Sequence, residues 1–282
     1  METLSQFKKR LHSILDAIGP EILKHNEDEF WMIRSPYEYA EYYAAEKRLI
    51  NTSVALPLAR GLHNGVYRKS TLILNGKTYR VPYLIHPLMV ARMLIDIQVP
   101  LSPEDEDILL AAALLHDVIE DIPFPNHGLE LIEQYHLDPR VYETVKKVSK
   151  RKDFTEEEEI DFFDNIARDK IAALVKLSDR GHNVEDMYNM SAWKIHEYVG
   201  ETRKFFLPMC FYARRNYPDI EPMVEILQDK IISLTQMAEA LVDRYAAQEQ
   251  ALHRELQELV EENRLLRETW KRLWQEEGDS DD

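Results

Sequence analysis

The sequence predicts an all-α protein interrupted by one short β-hairpin and closed by a long helix. Three observations carry this reading. Apolar residues recur at helical spacing, as in Leu4, Phe7, Leu11, Ile14, Leu15 and Ile18. Asn75-Gly76 lies between β-favouring residues in TLILNGKTYRVP, and this pair suits a type I′ hairpin turn, in which both central positions need positive φ. From Met223 to Glu277 there is neither glycine nor proline, which allows one long helix or two abutting ones.

Composition narrows the function. A chain of 282 residues can bury a sizeable core in one or two domains. Its 35 basic and 51 acidic residues give a net charge of −16, which argues against a nucleic-acid polymer as partner because such binding neutralises many phosphates with Lys and Arg. A small anionic substrate remains compatible if a metal and a few basic residues invert the charge locally. The single cysteine, Cys210, permits no intrachain disulfide and suggests a reducing compartment. The amino terminus is amphipathic rather than uniformly apolar, and no later segment approaches ~18 apolar residues in a row. A cytoplasmic protein with no membrane partner is expected.

In chain order, a packing helix over residues 3–18 ends at Gly19-Pro20, and a second, rich in Tyr and Ala, runs from about Tyr37 to Leu49. A helix from Asn51 leads into a basic turn at Arg68-Lys69, and the hairpin follows over Thr71–Val81. His86-Pro87 opens the next helix. The central helix, EDEDILLAAALLHDVIED, is introduced by Ser102 as N-cap and Pro103 at the first helical position, and its apolar run reads as buried nearly all round. Continued to Asp121, it would set His116 over Glu120 and Asp117 over Asp121 at i,i+4. Burying four such groups costs several kcal/mol per ion unless partners neutralise them, and a divalent metal would do so.

IPFPNHG should end that helix, and Leu129 to Tyr135 should begin another. Arg140 to Lys152 reads as a helix with a solvated basic end, and Glu156 to Glu159 as a helix start favoured by the dipole. The helix NIARDKIAALVKLSDRGHNVEDM is apolar until it delivers Lys176, Asp179, Arg180, His182 and Asn183, with Lys176, Asp179 and Asn183 along one face. Ile195 to Tyr217 reads as one amphipathic helix, and Tyr217-Pro218 as a domain edge. The expected organisation is N-terminal helices at 1–50 packed on a core domain at 51–218, then a long helix at 219–282 ending in a disordered acidic tail.

Taken together, His63, Arg68-Lys69, PYLIHPLMVA, LLHDVIED and VKLSDRGHN resemble, in this order, the hydrolase domain of RelA/SpoT homologues, the enzymes of guanosine tetraphosphate turnover within the HD phosphohydrolase superfamily. The resemblance covers roughly residues 50–215 and implies an HD-domain helical bundle. It implies His86, His116, Asp117 and Asp179 as metal ligands. Two imidazoles and two carboxylates suit a divalent ion; the family's ion is manganese, and donor chemistry alone leaves Zn2+ or Fe2+ open. Glu120 and Asp121 match the family's catalytic acidic pair, suited to general acid-base work. Arg68 and Lys69 match residues that neutralise the diphosphate, and Asn183 matches a substrate-contacting asparagine. His63 is expected to pack or support rather than ligate.

The chain departs from the family at the Thr71–Val81 hairpin, inserted where the family runs almost directly from RKS to PYI, and at Gly181, where a larger apolar residue is usual. The long helix also follows where a synthetase domain would, which places the chain with the hydrolase-only, small-alarmone-hydrolase type. The expected activity is removal of the 3′-diphosphate of a (p)ppGpp-type nucleotide with release of pyrophosphate. The rivals are the same chemistry on an adenosine alarmone or an NADPH-like nucleotide, and a non-catalytic nucleotide sensor signalling through the C-terminal helix. In that helix Leu252, Leu259, Leu266 and Leu273 fall at d, and Leu256, Asn263 and Trp270 at a, which predicts a parallel homodimeric coiled coil. The alternative is a helix packed back on its own domain.

Overall fold

The computed structural model describes residues 2–18, 20, 22–24, 30–98, 100–121, 137–151, 153–187 and 190–278, apart from the side chains of 121 and 272–278. The chain runs through α1 (Leu4–Ile18), α2 (Phe30–Lys47), α3 (Ile50–Leu62), a hairpin of β1 (Tyr67–Leu74) and β2 (Lys77–Pro82), α4 (Ile85–Ile97), α5 (Pro103–Leu115) and α6 (Val118–Asp121). After these come α7 (Pro139–Val148), α8 (Glu156–Ala167), α9 (Lys170–Glu185), α10 (Ala192–Glu201), a π turn (Thr202–Phe206), α11 (Leu207–Asn216) and α12 (Glu221–Gly278). The expected helix start at Leu129–Tyr135 and the acidic tail at 279–282 lie outside the described residues.

The axis of the bundle is α5. It packs against α3, α4, α7 and α9, and Ile108 to Leu115 are at most 2% exposed. Burying each leucine in this way contributes about 1.5–3 kcal/mol. The start of α5 is fixed as expected, with Ser102 Oγ accepting the Asp105 amide at 3.1 Å and Pro103 in the first turn. Its acidic residues do more than favour the dipole. Buried Asp107 accepts the amides of Asn51 (2.9 Å) and Thr52 (2.8 Å), and so caps α3 from a neighbouring helix. One connected core includes residues from Ile18 to Ile231.

Several boundaries differ from the periodicity reading, each for a local reason. Helix α2 begins at Phe30 and contains Pro36; the Phe30 and Tyr37 rings meet edge to face at 5.7 Å, under the Arg60 guanidinium, so packing outweighs the proline. Strand β1 begins at Tyr67, so Arg68 and Lys69 belong to the hairpin, with a register irregularity between Tyr67 and Thr71. Its turn is as expected, with Asn75 and Gly76 at φ 51° and 73°. The long segment before Met187 divides where Asp169 caps Ile171 and Ala172 to start α9. The segment after Ile195 contains a π turn, in which the Leu207 amide bonds the Thr202 carbonyl. Pro208, in the next turn, has no amide to donate and its ring would crowd the carbonyl four residues earlier.

Helix α7 stops at Val148, and its basic end carries ion pairs while Lys146 and Arg151 stay exposed: Lys147 pairs with Asp169, Lys150 with Glu159 and Glu201, and Arg151 with Glu158. Gly181 makes room for a neighbour. A Cβ there would stand 3.1 Å from Met93 Sδ of α4 and 3.9 Å from Leu227 of α12. From Asp243 to Lys271 α12 leaves the core, with every residue exposed except half-buried Glu268. No helix among the described residues is long and apolar enough to cross a membrane.

Candidate metal centre

Three helix ends meet at one point. The first turn of α4 supplies His86, the end of α5 supplies His116 and Asp117, and the C-terminal half of α9 supplies Asp179. The central helix breaks here instead of continuing to Asp121: His116 Nδ1 donates to the Ala113 carbonyl at 2.8 Å, the acceptor that the Asp117 amide would use in an unbroken helix. The chain then turns through Asp117 into the short α6. Glu120 thus lies on α6, beyond the break, rather than on a continuation of α5.

The donor atoms converge. His86 Nε2 lies 3.3 Å from His116 Nε2, 3.3 Å from Asp117 Oδ2 and 3.1 Å from Asp179 Oδ1. His116 Nε2 lies 3.1 Å from Asp117 Oδ2 and 3.7 Å from Asp179 Oδ1. Donors about 2.1 Å from one ion stand about 3.0–3.4 Å apart at octahedral or tetrahedral angles, close to the spacing of four of these five pairs. The group His86, His116 and Asp179 has the burial and compactness of a metal site.

Surrounding groups aim the donors. Because His116 Nδ1 is committed to a carbonyl, its Nε2 lone pair is left for the site. His86 Nδ1 lies 2.7 Å from His182 Nδ1. Burial holds His182 neutral, lowering it to about 3 with help from the charges of His86 and Arg68, so it can accept the His86 proton. Tyr83 donates to Asp117 Oδ2 at 2.7 Å, and His63 stacks on the Tyr83 ring at 5.3 Å. His63 is itself buried, its Nδ1 bonded to the Ala59 carbonyl, and lowered to about 4 by that burial. Asn183 Nδ2 donates to Asp179 Oδ1 at 2.6 Å, and Lys176 Nζ stands 3.2 Å from Asp179 Oδ2.

Charge is balanced within the cluster. Burial alone would raise the Asp117 and Asp179 carboxyls, but the cations overcome it: His116 and His86 hold Asp117 well below its ordinary value, and Lys176 and the imidazoles do the same for Asp179. Burial would likewise depress the imidazoles, yet the carboxylates raise His86 and lift His116 well above its ordinary value. Protons and a divalent cation would thus compete for the same donors. Glu120 is exposed, and its Oε1 accepts the Lys150 amide at 2.6 Å. Its carboxyl is raised because the protein around it displaces water, and Asp117 and Asp179 add to this against Lys176. The Asp121 side chain lies outside the described residues.

Arg68 comes to the site from the hairpin. It pairs with Asp186 at 2.7 Å just beyond α9 and lies over the Tyr83 ring, while Lys69 is exposed beside it. Sequence reasoning gave no site role to Tyr83, Lys176, His182 or Asp186, though it noted Lys176 and His182 on the helix that carries Asp179. For three of them a signal existed, since 176, 179, 183 and 186 share one helix face and His182 follows Asp179 at i+3.

A family model described as HD domain matches residues 83–184, which span every proposed ligand. The chain carries an HD domain. Among curated relatives, a guanosine-3′,5′-bis(diphosphate) 3′-pyrophosphohydrolase of Haemophilus influenzae is 30% identical over 54% of this chain and 21% of its own length. One of the same name from Vibrio cholerae is 29% identical, over 64% and 24%. The bifunctional (p)ppGpp synthase/hydrolase SpoT of Escherichia coli is 28% identical, over 64% and 24%. These similarities support the RelA/SpoT type of HD domain that the motifs led us to expect. The chain spans about a fifth to a quarter of the length of these relatives.

Proposed function

We propose that this HD domain hydrolyses the 3′-diphosphate of a (p)ppGpp-type guanosine nucleotide, adding water across the ester bond to leave the 3′-hydroxyl and release pyrophosphate. The approach of His86 and His116 to each other and to Asp117 and Asp179 at 3.1–3.7 Å carries the reading, and the names of the relatives supply the substrate class. These four residues would hold the ion, which we take to be manganese. When bound, it supplies Lewis acidity to the phosphoryl group and to the attacking water. Glu120, with its raised carboxyl, and Asp121 would exchange protons with the water and the leaving oxygen. Arg68 has five N–H donors, so its pairing with Asp186 leaves others for a diphosphate, and Lys69 adds a second cation. Asn183 then acts in two ways, fixing Asp179 and reaching substrate. Buried Cys210, with its thiol pushed up to about 12 by burial, fits a cytoplasmic setting.

We also infer a homodimer through α12. Leu252, Leu256, Leu259, Leu266 and Trp270 are each more than half exposed, so the helix does not bury this stripe on its own domain. A second copy in parallel register would cover it and let facing Asn263 side chains satisfy each other.

Pyrophosphate release from ppGpp, pppGpp, an adenosine counterpart and NADPH, with manganese or with chelator, tests the activity. Manganese-dependent release from the guanosine nucleotides is expected. Release from another nucleotide alone would move the substrate class, and tight ppGpp binding with no release would favour the sensor.

A further inference from the structure

The ammonium of Lys176 is a feature of the site whose effect on a metal runs opposite to that of the ligands. It sits one turn before Asp179 on α9, with its side chain 12% exposed and Nζ 3.2 Å from Asp179 Oδ2. The other oxygen, Oδ1, is the one turned toward His86 and His116. Asp117 and Glu120 are also within electrostatic reach of the ammonium. A lysine here repels a divalent cation and weakens the donor strength of the carboxylate it pairs with. Its placement therefore costs metal affinity, which a packing residue on an apolar face would not do.

We propose that Lys176 is a positioning residue that occupies Asp179 Oδ2, so that Asp179 offers the metal Oδ1 alone and a coordination position stays open to water and substrate. With Asn183 on Oδ1 and Lys176 on Oδ2, both oxygens of Asp179 are oriented from its own helix face, at i+4 and i−3. Freed of the ammonium, Oδ2 can turn to the metal as a second donor. The ion is then held more tightly by a site that works less well.

The role in turnover rests on the proposed hydrolase reading; the metal-binding consequence does not. The experiment compares wild type, Lys176→Met and Lys176→Arg, each as the full chain, by manganese titration, thermal melts with manganese or chelator, and ppGpp turnover. Lys176→Met should bind manganese about tenfold more tightly or better, gain more melting temperature from the ion than wild type, and lose kcat with little change in KM. Lys176→Arg keeps the charge, so its affinity should stay near that of wild type and its kcat should recover in part. Unchanged or weaker manganese binding by Lys176→Met overturns the proposal, as does tighter binding by Lys176→Arg. The arginine variant decides if the methionine variant does not fold. A wild type that binds manganese but does not hydrolyse ppGpp defeats the hydrolase reading and leaves the metal-binding comparison intact.

Discussion

Nδ1 of His182 stands 2.7 Å from Nδ1 of His86, and this contact decides which nitrogen of His86 faces the centre. With His182 as acceptor, the His86 proton stays on Nδ1 and the Nε2 lone pair points at the carboxylate oxygens. His182→Ala should therefore weaken manganese binding by about 10–100-fold while the helical fold persists. His182→Gln, whose amide oxygen can accept the same proton, should recover part of it. Metal titration with circular dichroism reads both; wild-type affinity in the alanine variant would remove His182 from the support of the site.

The pH dependence follows from the direction of four shifts. The raised values of His86 and His116 stabilise the metal-free fold fully below their unfolded value of 6.5, and this contribution is lost as pH rises through the folded values. The depressed values of Asp117 and Asp179 contribute above the unfolded value of 3.8 and are lost as pH falls through the folded values. For these four groups the metal-free protein is thus best stabilised between pH 3.8 and 6.5. Manganese needs both imidazoles deprotonated, so the rise in Tm on adding it should grow with pH across and above the imidazole range. Melts with manganese and with chelator at a series of pH values check this; an increment independent of pH would contradict it.

Glu120→Gln should keep full metal content, because its carboxylate bonds the Lys150 amide rather than joining the donor cluster. Turnover should fall by ~10² or more if Glu120 exchanges the proton. His116→Ala or Asp117→Ala should lose the metal and turnover together. Metal analysis of the purified variants separates the two classes.

The hairpin should matter to substrate at its base. Arg68 reaches Asp186 from β1, and the Tyr83 amide bonds the Val66 carbonyl at 2.9 Å, whereas Ile73 near the tip is 70% exposed. Replacing Thr71–Val81 by a short turn should change KM or nucleotide preference more than Tm. Kinetics unchanged across the nucleotide panel would show that the insertion plays no part in recognition.

Truncation after Ala247 should give a monomer that still binds manganese, since every proposed ligand lies upstream. Asn263→Leu should preserve association and loosen its register. Light scattering of the full chain at micromolar concentration is the direct test, and a monomer there would end the coiled-coil reading.

The sequence by itself determined what local chemistry can determine: a helical chain, a hairpin turning at Asn75-Gly76 and a helix beginning at Ser102-Pro103; the candidate ligand set of His86, His116, Asp117 and Asp179 came from the resemblance of its motifs. These are legible because periodicity, capping and turn geometry act over a few residues, and because the motifs lie in short runs. Only the tertiary structure decided how the groups are used. It broke the central helix after Leu115, where the His116 imidazole takes the Ala113 carbonyl and the chain turns into α6. It paired Arg68 with Asp186 across 118 positions of sequence, set Tyr83 on Asp117, and carried α12 away from the core. Each of these contacts joins residues distant in the chain, and its energy depends on burial and distance that exist only once the helices have packed.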